Sequence, residues 1–167
     1  EMCIRDRIRI SSRISTRIIS RTTRKWQRSI NGIVSRTKGG YVGYGEDCWG
    51  LTASDFAWNY QAQEPMPHRD NGTMAPTGAL ASFPYTPGAS MKALRNYYRN
   101  YGSFLWGEYG FRDAFNLTVN WVSPLFMGLN QAPVTVMIEN YRTNLLWNLF
   151  MSHPDVQKGI QKIQSIK

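Results

Sequence analysis

Cysteine is almost missing from this 167-residue chain: Cys3 and Cys48 are the only two. One lies in a basic leader and one in the body, which excludes a disulfide framework and a cysteine-based metal motif. No apolar run approaches the roughly 20 residues that a membrane-spanning helix needs. The opening residues are rich in arginine and lack the apolar stretch of a secretory signal. His68 has no second histidine close by, so no metal ligand set is expected. Tyr41–Asp47 is glycine-rich but lacks the spacing of a phosphate-binding loop, and no dinucleotide, zinc or Ser/His/Asp motif occurs elsewhere. The expectation is therefore a protein without cofactor or metal.

What the chain does have is a formal net charge of +9, which invites a nucleic-acid reading. Its location decides against one. Residues 1–38 hold 11 basic and two acidic groups, and the remaining residues balance at nine of each. The body is neutral, so a phosphate-binding surface would rest on the leader alone. Residues 1–22 are a low-complexity mixture of Arg, Ile and Ser without a helical stripe. Their opening, Glu-Met-Cys-Ile-Arg-Asp-Arg, resembles the translated sequencing-adapter leader found at the ends of metagenomic gene models. The boundaries expected are a leader at 1–22 and a folded body at 23–167.

Along the body, Trp26, Ile30, Ile33 and Val34 share one helical face, which predicts a helix over Arg24–Ser35. Pro76 opens a second helix, expected through Phe83. Thr86 as cap and Pro87 at the first position open a third, expected to Tyr101, with Met91, Leu94, Tyr97, Tyr98 and Tyr101 as its apolar face. Pro133 is expected to start the longest helix, to about Ser152, apolar nearly all round and so enclosed by protein. Glu139 and Arg142 are expected as a buried ion pair within it. Asp155–Ile166 reads as an amphipathic tail helix. Little strand pattern is visible. The long polar, aromatic stretch through Asp70 is an ordered loop of the kind that carries function.

The stretch most suggestive of chemistry is Leu105–Trp121. Glu108 and Asp113 lie there among Trp106, Tyr109, Phe111, Phe115 and Trp121, and Gly107 and Gly110 disfavour a helix. Carboxylates bordered by flat aromatic faces suit a sugar, with the rings stacking and the acids handling protons and hydroxyls. The same residues also fit a packed aromatic loop with an exposed Glu and an ion-paired Asp.

Five phrases occur in order: Cys48-Trp-Gly-Leu-Thr-Ala-Ser-Asp55, Asp70-Asn-Gly-Thr-Met-Ala-Pro-Thr77, Ala81-Ser-Phe-Pro-Tyr-Thr-Pro87, Leu105-Trp-Gly-Glu-Tyr-Gly-Phe-Arg-Asp-Ala-Phe-Asn116 and Met137-Ile-Glu-Asn-Tyr-Arg-Thr143. Together, over roughly residues 41–160, they resemble the bacterial glucoamylase-like domain of the endo-β-1,2-glucanases (glycoside hydrolase family 144). The resemblance implies an all-α fold, the C-terminal third of an (α/α)6 toroid with long aromatic loops lining its groove. It implies that the general acid lies in a part of the domain outside this chain, which leaves the chain inactive alone. On this resemblance Asp113 is the candidate catalytic base. Asp55, Asp70 and Glu108 are candidates for binding hydroxyls, and Trp49, Trp106, Phe111 and Trp121 for stacking. The implied partner is a β-linked glucan oligosaccharide, with no nucleic acid and no membrane. The full-length enzyme would be a monomer in the periplasm or secreted. A transglycosylating domain of a cyclic β-1,2-glucan synthase is the alternative. One departure stands out: Leu129-Asn130-Gln131-Ala132-Pro133 has an amide where the family reads an acid.

Overall fold

The structure, a computed structural model, describes residues 40–165 apart from Trp58 and Pro67. The leader and the helix expected over Arg24–Ser35 lie outside the described residues. Among the described residues are six helices and three short antiparallel hairpins. The first hairpin pairs β1 (Ala53–Ser54) with β2 (Gln61–Ala62). Then come α1 (Pro76–Leu80), α2 (Pro87–Arg99) and the single turn α3 (Gly102–Leu105). Strands β3 (Trp106–Gly107) and β4 (Gly110–Phe111) form the second hairpin, and β5 (Phe115–Asn116) and β6 (Trp121–Val122) the third. The chain closes with α4 (Gly128–Thr143), α5 (Leu145–Ser152) and α6 (Pro154–Gln164). No helix among the described residues is long and apolar enough to cross a membrane.

The stretch expected as one loop is thus two hairpins. Glu108 and Tyr109 form the two-residue connection between β3 and β4, and Gly110 closes it at φ +98, a conformation that a Cβ disfavours. Asn120, at φ 51, serves the next turn, since asparagine tolerates the left-handed region. Strand pattern was invisible in the sequence because each strand is two residues long, too short for alternation to register.

Helix α1 ends at Leu80 rather than Phe83. Pro84 disfavours helical backbone at the residue before it, and turns fill residues 81–85. Thr86 does stand before α2, yet its hydroxyl does not cap the helix. It donates to the Ser82 carbonyl (3.2 Å) and meets Ser90 Oγ (3.1 Å). The buried face of α2 is Ser90, Ala93, Asn96 and Tyr97, while Met91 and Tyr98 are exposed. Small residues won that face because they let α1 approach closely; Ser90 Oγ donates to the Ala79 carbonyl at 2.8 Å. Gly102 opens α3 instead of ending α2.

The core gathers Cys48, Trp49, Met74, Ala79, Leu80, Phe83, Ala93, Tyr97, Leu105, Phe111 and Phe115. Tyr97 is its hub. It is fully buried, its ring meets Phe111 and Phe115 edge-on, and its hydroxyl accepts from the Trp49 amide (2.9 Å) while donating to the Trp49 carbonyl. Burial pushes that phenol well above the ordinary tyrosine range. Gly50, at φ +136, lies against α1: a Cβ there would meet the Ala75 carbonyl oxygen at 2.6 Å.

The C-terminal helices depart furthest from expectation. Helix α4 begins at Gly128, so Pro133 lies inside it. Its first turn is held by side chains: Asn130 reaches Asp113, and Gln131 Nε2 donates to the Phe111 carbonyl. The expected single helix breaks at Asn144, at φ 57, where the buried Asn140 side chain accepts from the amides of Leu146 (3.0 Å) and Trp147 (3.2 Å) and starts α5. The Glu139–Arg142 pair forms at 3.3 Å but at the surface, where it adds little. Nor is this segment enclosed: Leu129, Val136, Tyr141, Leu145, Leu146, Leu149 and Phe150 are all exposed.

Candidate functional site

Four side chains join the hairpins to α4. Asp113 lies between β4 and β5, and its own amide donates to the Leu125 carbonyl at 3.0 Å. Its Oδ2 accepts from the Asp55 backbone amide (2.7 Å), and its Oδ1 accepts from Asn130 Nδ2 (2.6 Å). Asn130 also donates to the Ala53 carbonyl (3.3 Å). Ser123 Oγ donates to Asp55 Oδ2 (2.7 Å) and itself accepts from the Leu125 amide (3.0 Å). The segment Ala53–Asp55 is therefore clamped from two sides. No cation lies within ion-pair distance of either aspartate among the described residues; Arg112 instead serves the carbonyls of Ser123 and Pro124 and lies 5.1 Å from the Phe126 ring centre.

Exposure separates the two acids. Asp113, expected as the base, is 2 % exposed with both oxygens engaged, whereas Asp55 is half-buried and its Oδ1 has no hydrogen-bond partner among the described residues. Asp70 is buried in a turn, accepting from the Tyr44 hydroxyl (2.7 Å) and the Gly72 amide (2.9 Å). That hydrogen bond and burial push the Tyr44 phenol far up, burial being the larger cause. Asp70 also borders a cavity of about 270 Å³, with Gln61, Ala62, His68, Arg69 and Asn71. Glu108 is exposed at the β3–β4 turn.

The four expected stacking rings divide in two. Trp49 and Phe111 are 2 % and 5 % exposed, part of the core, and present no face to a sugar; this corrects the expectation for both. Trp106 is exposed and held edge-on between Tyr98 (5.4 Å) and Phe111 (4.8 Å). Trp121 is half-buried against Phe56 (5.8 Å). Exposed Tyr109, packed edge-on against Phe126 (5.6 Å), adds a ring that sequence reasoning did not select. Ser123 was missed as well, since a lone serine before a proline carries no signal. Asn130 did carry one, as an amide where the family motif reads an acid. No group of three or more His, Cys, Asp and Glu among the described residues could hold a metal ion.

Helices joined by aromatic hairpins, with acids and rings on the hairpin side, are the frame in which the comparisons with known proteins are read. Residues 9–154 match the family model described as "Putative glucoamylase", and the chain belongs to that family. Over 130 residues it is 98 % identical to an exo β-1,2-glucooligosaccharide sophorohydrolase of Parabacteroides distasonis, covering 78 % of this chain and 18 % of that protein. It superposes on the crystal structure of a β-1,2-glucanase from Parabacteroides distasonis with a TM-score of 0.78 at 91 % identity, covering 82 % of this chain and 20 % of that one. An endo-β-1,2-glucanase of Chitinophaga pinensis, in complex with sophorotriose and glucose, gives 0.76 at 44 % identity, covering 80 % and 32 %. The expected (α/α) fold, recognised as a fragment, stands. The chain spans about a third of the Chitinophaga protein but only about a fifth of the Parabacteroides ones.

Proposed function

We propose that these residues form one wall of the sugar groove of a β-1,2-glucan hydrolase, whose remaining wall and general acid lie in parts of the enzyme outside this chain. The observation that carries the reading is the 98 % identity over 130 residues to a sophorohydrolase. At that level the side chains of the hairpins are almost all shared, so the chemistry they serve is shared too. The exposed rings of Trp106 and Tyr109 and the half-buried Trp121 offer flat faces for glucosyl units. The linked pair Asp55 and Asp113 supplies the carboxylate chemistry of one side of the scissile bond. Glycoside hydrolysis needs a second carboxyl group across the sugar, as a proton donor to the leaving oxygen.

The experiment is a graft. The matching segment of the Parabacteroides distasonis sophorohydrolase is replaced by that of this chain, and sophorose release from β-1,2-glucooligosaccharides is measured. The graft is expected to retain activity within about threefold, and residues 40–165 alone to show none. An inactive but folded graft, or turnover by the isolated segment, contradicts the proposal.

A further inference from the structure

The structure assigns Asp55, rather than Asp113, as the carboxylate that meets the substrate, with Asp113 as the positioning residue behind it. This inference rests on the hydrolase reading above and names the working group within it.

The argument is one of access and direction. Both oxygens of Asp113 are occupied, one by the Asp55 amide and one by Asn130 Nδ2, and the residue is 2 % exposed. Each oxygen keeps a free lone pair, but a side chain so buried offers no approach to a water beside a sugar. What it does hold is the backbone at Asp55. Asn130 adds the carbonyl of Ala53, so the two side chains fix the segment on both sides of Ser54. Ser123 then fixes the Asp55 carboxylate through Oδ2 alone, which leaves Oδ1 unpartnered among the described residues on a half-buried side chain. One oxygen anchored and one presented is the arrangement a proton acceptor needs.

In the step this implies, a water oxygen attacks the anomeric carbon as its proton passes to Asp55 Oδ1. The bond from that carbon to the leaving oxygen breaks, and the leaving oxygen takes the proton of a carboxylic acid supplied by the rest of the enzyme. Neither Asp113 nor Arg112, the charged groups that bond the Asp55 amide and the Ser123 carbonyl, pairs with the Asp55 carboxylate.

The test uses the grafted enzyme and its kcat against pH. Asp55→Asn is expected to lower kcat by about 10²–10⁴-fold and to flatten the acidic limb. Asp113→Asn is expected to lower kcat while keeping that limb. Ser123→Ala displaces its midpoint, and decides the matter should Asp113→Asn fail to fold. An Asp55→Asn enzyme within about fivefold of the parent overturns the assignment, as does an acidic limb lost in Asp113→Asn but kept in Asp55→Asn, or one that Ser123→Ala leaves in place. Inactivity of the unsubstituted graft would instead fault the hydrolase reading, so the two failures are distinct.

Discussion

Between Cys48 and Phe115 the chain has no helix longer than 13 residues and strands of two, yet every fully buried apolar side chain of the described residues lies there. From Gly128 to Gln164 it is nearly all helix, and the only buried side chains are those of Asn130 and Asn140. The longest helix and the core have separated. The hairpin region is packed around Tyr97 and held by hydrogen bonds between distant side chains and backbone. The helical region touches it through Asn130, Gln131, Val134 and Ile138 and the ring contacts Phe83–Tyr141 (5.6 Å) and Tyr85–Trp147 (6.4 Å), and leaves Leu149 and Phe150 in the open. Relatives roughly 2.5 to 4 times as long as this chain have further polypeptide that could cover such a face.

Two glycines break the comparison most sharply. Gly50→Ala puts a methyl against the Ala75 carbonyl and forces an unfavourable φ, at an expected cost of about 3–5 kcal/mol. Gly159→Ala, in α6 with nothing within 4 Å of the added Cβ, is expected to stabilise by about 0.5–1 kcal/mol. Urea unfolding of the grafted enzyme checks both; equal effects would erase the distinction between the regions. Next in size is Tyr97→Phe, which deletes the hydroxyl that both donates to and accepts from Trp49 and is expected to cost about 1–3 kcal/mol. Tyr141→Phe, at an exposed ring, should stay within about 0.5 kcal/mol.

Sequence reasoning recovered the family from its ordered phrases, and the helix starts at Pro76 and Pro87 because proline at a first turn is a local signal. It failed where tertiary contacts decide. The start of α4 depends on Asn130 and Gln131 reaching across to Asp113 and Phe111, and no local pattern announces that. The apolar residues of α4 and α5 implied an enclosing shell, but the sequence does not say which protein supplies it. Trp49 and Phe111 were grouped with Trp106 and Trp121 because burial of a ring between short strands has no period to read. Asp113 could be singled out as a base and Asp55 only as one hydroxyl-binding candidate among three; that the two are linked, with Asp55 the less buried, follows only from the fold.

Smaller effects refine the picture. Replacing Leu149 and Phe150 by lysine and glutamate is expected to reduce aggregation of the isolated chain, read by light scattering, while changing its stability by less than about 0.5 kcal/mol. Cys48 offers a probe of the other region. Burial, with the charge of Asp47 second, pushes its thiol up to about 12 from 9.0. A raised value means the stability this group lends is complete below pH 9 and is lost as pH rises through about 12. Alkylation at Cys48, followed by peptide mass, should therefore be negligible at pH 8 and rapid only in denaturant.

Hydrogen exchange on the grafted enzyme, with and without excess sophorose, tests the division of labour most directly. The account predicts slowed exchange in peptides spanning residues 52–63 and 104–123, with α5 and α6 unchanged. Protection confined to α5 and α6, with the hairpins unaffected, would contradict it.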